Sequence, residues 1–205
     1  MPRFSPVAPE RLVQLLAERI AAAPGIVRVA IDGPPCAPAH DLAHSLVEPL
    51  RVLGRPAHLV GAETFWHDAS LRLEYGREDV DSYLTWLDAV ALKREVLDAA
   101  VHAGTILPSL RDPITNRSTH ETARPVPPDA VVIVSGPLLL GLGLPFDLVV
   151  HLAVSPAARA RRTPAAEAWT LPAYERYDAE VAPSELADVV VRWDDPNRPA
   201  ASFNR

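Results

Sequence analysis

The stretch VRVAIDGPPCAPAHDLAHSL, residues 27–46, constrains the fold of this chain more than any other. It opens on Val27, Val29, Ala30 and Ile31, an apolar run rich in β-branched residues, as in a strand buried on both faces. Asp32-Gly33 and a short proline-rich loop follow. From His40 onward Leu42, Leu46, Leu50 and Leu53 recur at helical spacing, and Gly54 stands where a left-handed cap would end the helix. Buried strand, glycine-led loop and helix together predict a parallel sheet with helices packed on it.

The rest of the chain agrees. Residues 9–22 read as an amphipathic helix, with Leu12, Leu15, Leu16 and Ile20 on its apolar side and Pro24-Gly25 as its stop. After the 26–54 unit come a short strand at 56–60 and a long helix from Asp79 to about Ala103, stopped by Gly104. Strands at 130–134 and 148–154 precede a helical segment over 155–180, for which Ser155 is the cap and Pro156 the first turn. ADVVVRW is the last strand. The expectation is one α/β domain over 1–205, with a mainly parallel five-stranded sheet and helices on both faces.

Composition excludes several partners. At 205 residues and 48% hydrophobic the chain can bury a sizeable core. A net charge of −6 offers no general attraction to nucleic acid or an anionic membrane, so neither is expected as a partner. The single cysteine, Cys36, rules out an internal disulfide, and the first residues lack a secretion-signal pattern; a cytoplasmic protein is expected. The uncharged run Ala130–Phe146 is broken by Gly136, Pro137, Gly141, Gly143 and Pro145, and reads as a strand and loop rather than a membrane span.

The central loop has the frame of a phosphate-binding loop, G-x-x-x-x-G-K-[ST], but not its letters. Gly33 holds the first glycine position; Pro38, Ala39 and His40 stand in place of the second glycine, the lysine and the hydroxyl residue. Such loops point backbone N–H groups and a helix N-terminus at phosphate oxygens. Pro34, Pro35 and Pro38 have no N–H to point. Each lost charge-assisted hydrogen bond removes about 1.5–3 kcal/mol, and Lys93, the only lysine, lies in a predicted helix elsewhere. Asp41, in the first helical turn, would repel a phosphate there. Only arginines remain as cations for this loop.

Several segments, in order, resemble the uridine kinase-like branch of the P-loop kinases. VRVAIDGPPCAPAH resembles that family's strand and phosphate loop; ETFWH resembles a motif whose first acid accepts the substrate hydroxyl proton; LPSLRDPITNRS resembles the acceptor-site loop. AVVIVSGPLLL resembles the strand that usually ends in an acid before glycine, SPAARARR the arginine-bearing lid, and YERYDAEVAP with ADVVVRWDDPNRP the C-terminal segment. The likeness spans roughly residues 26–199. It implies a three-layer P-loop kinase-like fold, ATP and Mg2+ as cofactors, and a nucleoside-like small molecule as ligand. Because the lysine, the second glycine, the magnesium hydroxyl and the acid before Gly136 are all replaced, the leading expectation is a degenerate kinase. ATP binding would then be weak or absent, and the chain would act as a binding or regulatory protein. An active kinase using arginines for the missing lysine is the alternative.

The resemblance places roles on particular residues, each with a plainer alternative. Glu63 is the catalytic acid or a solvated loop residue. Gly33 is a phosphate-loop remnant or the glycine of a tight turn, and His40 replaces the hydroxyl residue. Arg159 and Arg162, with Arg161, form a phosphate clamp or a solvated helix face. Phe65 and Trp66 stack on substrate or belong to the core; Arg111 and Asp112 contact substrate or form a surface turn. Ser135 stands where the family often has a metal-organising carboxylate, whose charge it cannot supply. No metal site is expected: His40 and His44 have ligand spacing but no third partner in the sequence. Cys36 reads as a small apolar residue, and the sequence does not set the oligomeric state.

Overall fold

A computed structural model describes residues 3–204. The elements begin with β1 (Ser5–Pro6), α1 (Pro9–Ala21), β2 (Val27–Asp32), α2 (Ala39–Val52) and β3 (Ala57–Gly61). A 3-10 turn over Ala62–Phe65 leads to the short helices α3 (Ala69–Arg72), α4 (Val80–Tyr83) and α5 (Ala89–Leu92). α5 runs through a π-helical stretch, Lys93–Asp98, into α6 (Ala99–Ala103). Then come β4 (Thr105–Ile106), β5 (Arg124–Pro125), β6 (Val131–Gly136), β7 (Leu148–Ala153) and α7 (Pro156–Arg162). A 3-10 stretch over Ala165–Thr170, α8 (Leu171–Glu180), α9 (Pro183–Leu186), β8 (Val189–Arg192) and β9 (Ala200–Phe203) complete the chain.

The main sheet has the order β1-β9-β8-β7-β2-β6-β3. β3, β6, β2, β7 and β8 are parallel, whereas β9 and β1 pair antiparallel at one edge. The sheet is therefore seven-stranded, not five-stranded. The two extra strands are hard to read from sequence: β9 is AASF, with no β-branched residue, and β1 is only Ser5-Pro6. Pairing with β8 makes β9 a strand, not its own propensity.

The long helix expected over 79–103 is also interrupted. Asp79 caps the single turn α4, and the chain then extends so that Leu87 pairs with Trp66. Asp88 starts a new helix by accepting from the Ala91 amide at 2.8 Å. The helical spacing of Val80, Tyr83, Leu84, Leu87 and Ala91 runs through this break because all five face the same apolar layer.

Alternation along the strands divides the core between the two faces of the sheet. Val27, Val29, Ile31, Ile133 and Val150 point to the layer shared with α1 and α2. Ala30, Val60, Val132 and Val134 point to the layer shared with α5, α6 and α8. β2 lies between β6 and β7, with Asp32 level with both Gly136 and His151. Asp32 of β2, Ser135 of β6 and His151 of β7 thus lie near the carboxyl edge of the parallel sheet, where ligands of open α/β sheets bind.

Candidate functional site

Beyond β2 the chain turns tightly. The Gly33 amide donates to the Gly136 carbonyl at 3.3 Å, and a Cβ on Gly33 would stand 3.0 Å from the Leu152 Cβ, so the approach of β7 favours glycine. The Ala37 amide donates to the Pro34 carbonyl at 2.7 Å, and Ala39 to Ala37 at 3.0 Å. These bonds close the loop on itself and engage two amides that an open phosphate cradle would aim outward. Pro34, Pro35 and Pro38 contribute none. Ala39 is only 4% exposed, against the core.

His40, in the first turn of α2, reaches back over the strand ends. Its Nδ1 lies 2.8 Å from Ser135 Oγ, and its Nε2 lies 3.3 Å from Glu63 Oε2. Glu63 Oε2 is buried and makes no well-aligned hydrogen bond. The His40–Glu63 pairing holds the imidazole pKa above its ordinary value, against the lowering effect of burial. Gly61 makes room for the Glu63 carboxylate and Gly136 for the Ala62 side chain. A Cβ on Gly61 would meet Glu63 Oε1 at 2.4 Å; one on Gly136, where φ is +149°, would stand 2.7 Å from the Ala62 Cβ.

A second, fully buried network lies beside the first, on residues that sequence reading did not single out. Asp32 Oδ1 accepts from the Leu139 amide at 2.9 Å, and Oδ2 lies 2.7 Å from His151 Nδ1. The Leu140 amide donates to the Tyr177 hydroxyl at 3.0 Å, and the Tyr83 and Tyr174 hydroxyls lie 2.8 Å apart. Burial and the nearby Asp32 push the Tyr177 phenol far above its usual pKa. The available signal was a charge closing one apolar strand, VRVAID, and a histidine inside another, LVVHLA. A buried polar group in such a strand needs a partner, and each supplies the other.

Gly33, His40 and Glu63 come together at this edge. The acceptor-like loop is tied to it, because Leu110 and Arg111 both donate backbone amides to the Thr64 carbonyl. Within that loop Arg111 pairs with Asp68 at 3.1 Å and donates to the Asn116 carbonyl at 2.9 Å. Asp112 accepts from the Ile114 and Thr115 amides, which hold its carboxyl below the usual range. Phe65 is fully buried in the core. Trp66 packs edge-on against Trp86 at 5.2 Å, with the Arg72 guanidinium 5.2 Å from its ring.

The arginine-bearing helix faces the proline-rich loop, with Arg159 and Arg162 lining a pocket beside Pro34, Pro35 and Cys36. Arg159 is 3% exposed, pairs with Asp178 at 3.0 Å and lies over the Tyr174 ring. Arg162 donates to the Trp193 carbonyl at 2.7 Å and to the Asp194 carbonyl. Arg161 and His44 are exposed. Among the described residues no three His, Cys, Asp or Glu side chains are grouped to hold a metal, and no helix is long and apolar enough to cross a membrane.

The sequence matches no family model and no curated protein sequence. Solved structures do match in shape. One, described as a possible uridine kinase from Bacillus stearothermophilus, aligns over 87% of this chain and 96% of its own at 20% identity, with a TM-score of 0.71. Another, provisionally described as a fructose transport system kinase from a Silicibacter species, aligns over 82% and 95% at 22% identity, with a TM-score of 0.54. The YGR205w protein aligns over 97% and 100% at 9% identity, with a TM-score of 0.59. The resemblance is one of fold: the mainly parallel, helix-covered sheet of this chain is the P-loop kinase-like α/β fold of these structures.

Proposed function

We propose that this chain binds a nucleoside-like small molecule on a kinase fold and has weak or absent ATP phosphotransfer. The observation that supports this most is the position of His40. A working cradle places a magnesium-binding hydroxyl at the start of the helix, beside a lysine for the β- and γ-phosphates. Here an imidazole stands at the hydroxyl position and faces Ser135 and Glu63. The residues present do not fit MgATP: the Ala37 and Ala39 amides bond within the loop, and a carboxylate lies beside the site with no lysine to offset it. The arginines are poor substitutes: both line a pocket beside Pro34, Pro35 and Cys36, but Arg159 is paired with Asp178 and Arg162 donates to the Trp193 and Asp194 carbonyls.

The second reading, an active kinase, is favoured by one feature. Glu63 holds an oxygen with no well-aligned hydrogen bond at the strand edge, where a general base for an acceptor hydroxyl belongs. Incubation with radiolabelled ATP, Mg2+ and a panel of nucleosides decides between them. The leading reading expects no phosphorylated product above background. Turnover on the order of 1 s−1 with any acceptor overturns it.

A further inference from the structure

A pocket of ≈ 220 Å3 lies between α3 and the turn that follows α4, walled by His67, Leu71, Arg72, Thr85 and Trp86. It is smaller than the roughly 300–1,000 Å3 of most small-molecule sites, so it suits a compact ligand. Neither His40 nor Glu63 lines it, and the site stands independent of the phosphate loop.

The charged wall is Arg72, which is 8% exposed. Its guanidinium lies over the Trp66 and Trp86 rings, a contact that leaves the N–H groups free to donate. Nε donates to the His67 carbonyl at 2.8 Å, whereas Nη1 and Nη2 have no partner among the described residues and are not sealed from solvent. Buried charges are ordinarily paired. Here the acids on the surrounding elements are engaged: Asp68 pairs with Arg111 at 3.1 Å and accepts the Ser70 amide, and Asp88 caps α5 and faces His67. No carboxylate lines the pocket, and burial holds the Arg72 pKa below its ordinary value, although a guanidinium stays protonated. A buried cation with two open donors is short of a negative partner.

The geometry points to this pocket as a binding site for a small oxyanion with an apolar body, a carboxylate or a phosphate monoester, Arg72 Nη1 and Nη2 forking onto its oxygens while Leu71 and Trp86 pack on the body.

The test is calorimetric titration of the full chain with phenyl phosphate and, in a second arm, phenylacetate, with benzyl alcohol as the uncharged control. The Trp86 indole N–H resonance, followed by NMR, locates the binding. At least one anion is expected to bind with a dissociation constant below about 1 mM and to shift that resonance, with benzyl alcohol at least about tenfold weaker. Arg72→Gln removes the cation, and Leu71→Glu sets a competing carboxylate at the mouth from an exposed position. Each folded variant should bind the anion at least about tenfold more weakly. The better-bound arm tells phosphate from carboxylate. If Arg72→Gln fails to fold, Leu71→Glu decides alone. Dissociation constants above about 1 mM for both anions, a control within about tenfold, an unmoved Trp86 resonance, or a smaller loss in a folded variant overturns the assignment.

Discussion

Replacing Asp32 by Ala gives the sharpest stability test, because the structure sets its size. The carboxylate accepts from the Leu139 amide at 2.9 Å and faces His151 Nδ1 at 2.7 Å, and Asp32, Leu139 and His151 are at most 4% exposed. The substitution leaves two buried polar groups without a partner, each costing about 1–3 kcal/mol. Relief from holding a carboxylate out of water offsets part of this. A net loss of about 3 kcal/mol is expected, a large share of a total of roughly 5–15 kcal/mol. Asp32→Asn keeps an acceptor for Leu139 and should lose about half as much. Urea denaturation followed by circular dichroism and tryptophan fluorescence reads both, with the Ala midpoint lower by about 1.5 M. An Asp32→Ala midpoint within about 0.3 M of the parent refutes the argument that this network ties β2, β7 and the 137–143 loop together.

Four further outcomes concern the same edge of the sheet. In an NMR titration the His40 imidazole should titrate above its ordinary value, and Glu63→Gln should return it toward that value; no change on Glu63→Gln contradicts the pairing. Because this pKa is raised on folding, the pair stabilises most below about pH 6.5, and the contribution fades as pH climbs through the raised value, so Glu63→Gln should cost more stability at pH 6 than at pH 9. Gly136→Ala, at φ +149° and with its new Cβ 2.7 Å from Ala62, should cost about 2–4 kcal/mol, and a melting temperature equal to the parent's would refute the crowding. Ala39→Lys should cost about 1–3 kcal/mol by overpacking a site only 4% exposed, and should not restore MgATP binding; micromolar ATP affinity in that variant would show that the prolines and the internal loop bonds matter little.

Much of this architecture could be read in advance wherever one layer dictated the pattern. β2, β6, β7 and β8 are apolar on both faces because the parallel sheet is covered on both sides, and each was visible as a β-branched run. β9 and β1 were not, since an antiparallel edge strand of Ala and Ser owes its conformation to its partner. The helical spacing after Asp79 reported a shared face correctly and helix continuity wrongly, because periodicity does not register a break that preserves the face. At the site, sequence placed Gly33 and His40 on one loop and Glu63 in a separate segment, and only the fold brings His40 against Glu63 and Ser135. The Asp32–His151 pair left only a weak trace, a polar residue in each of two apolar strands, because its members are 119 residues apart and neither has a local motif.

The most direct test of the account is calorimetric titration of the intact chain with MgATP at neutral pH. The closed loop, with its Ala37 and Ala39 amides engaged and His40 facing Glu63, predicts no heat of binding up to about 1 mM ATP. A dissociation constant in the range of about 1–10 μM, abolished by removing Mg2+, would contradict it.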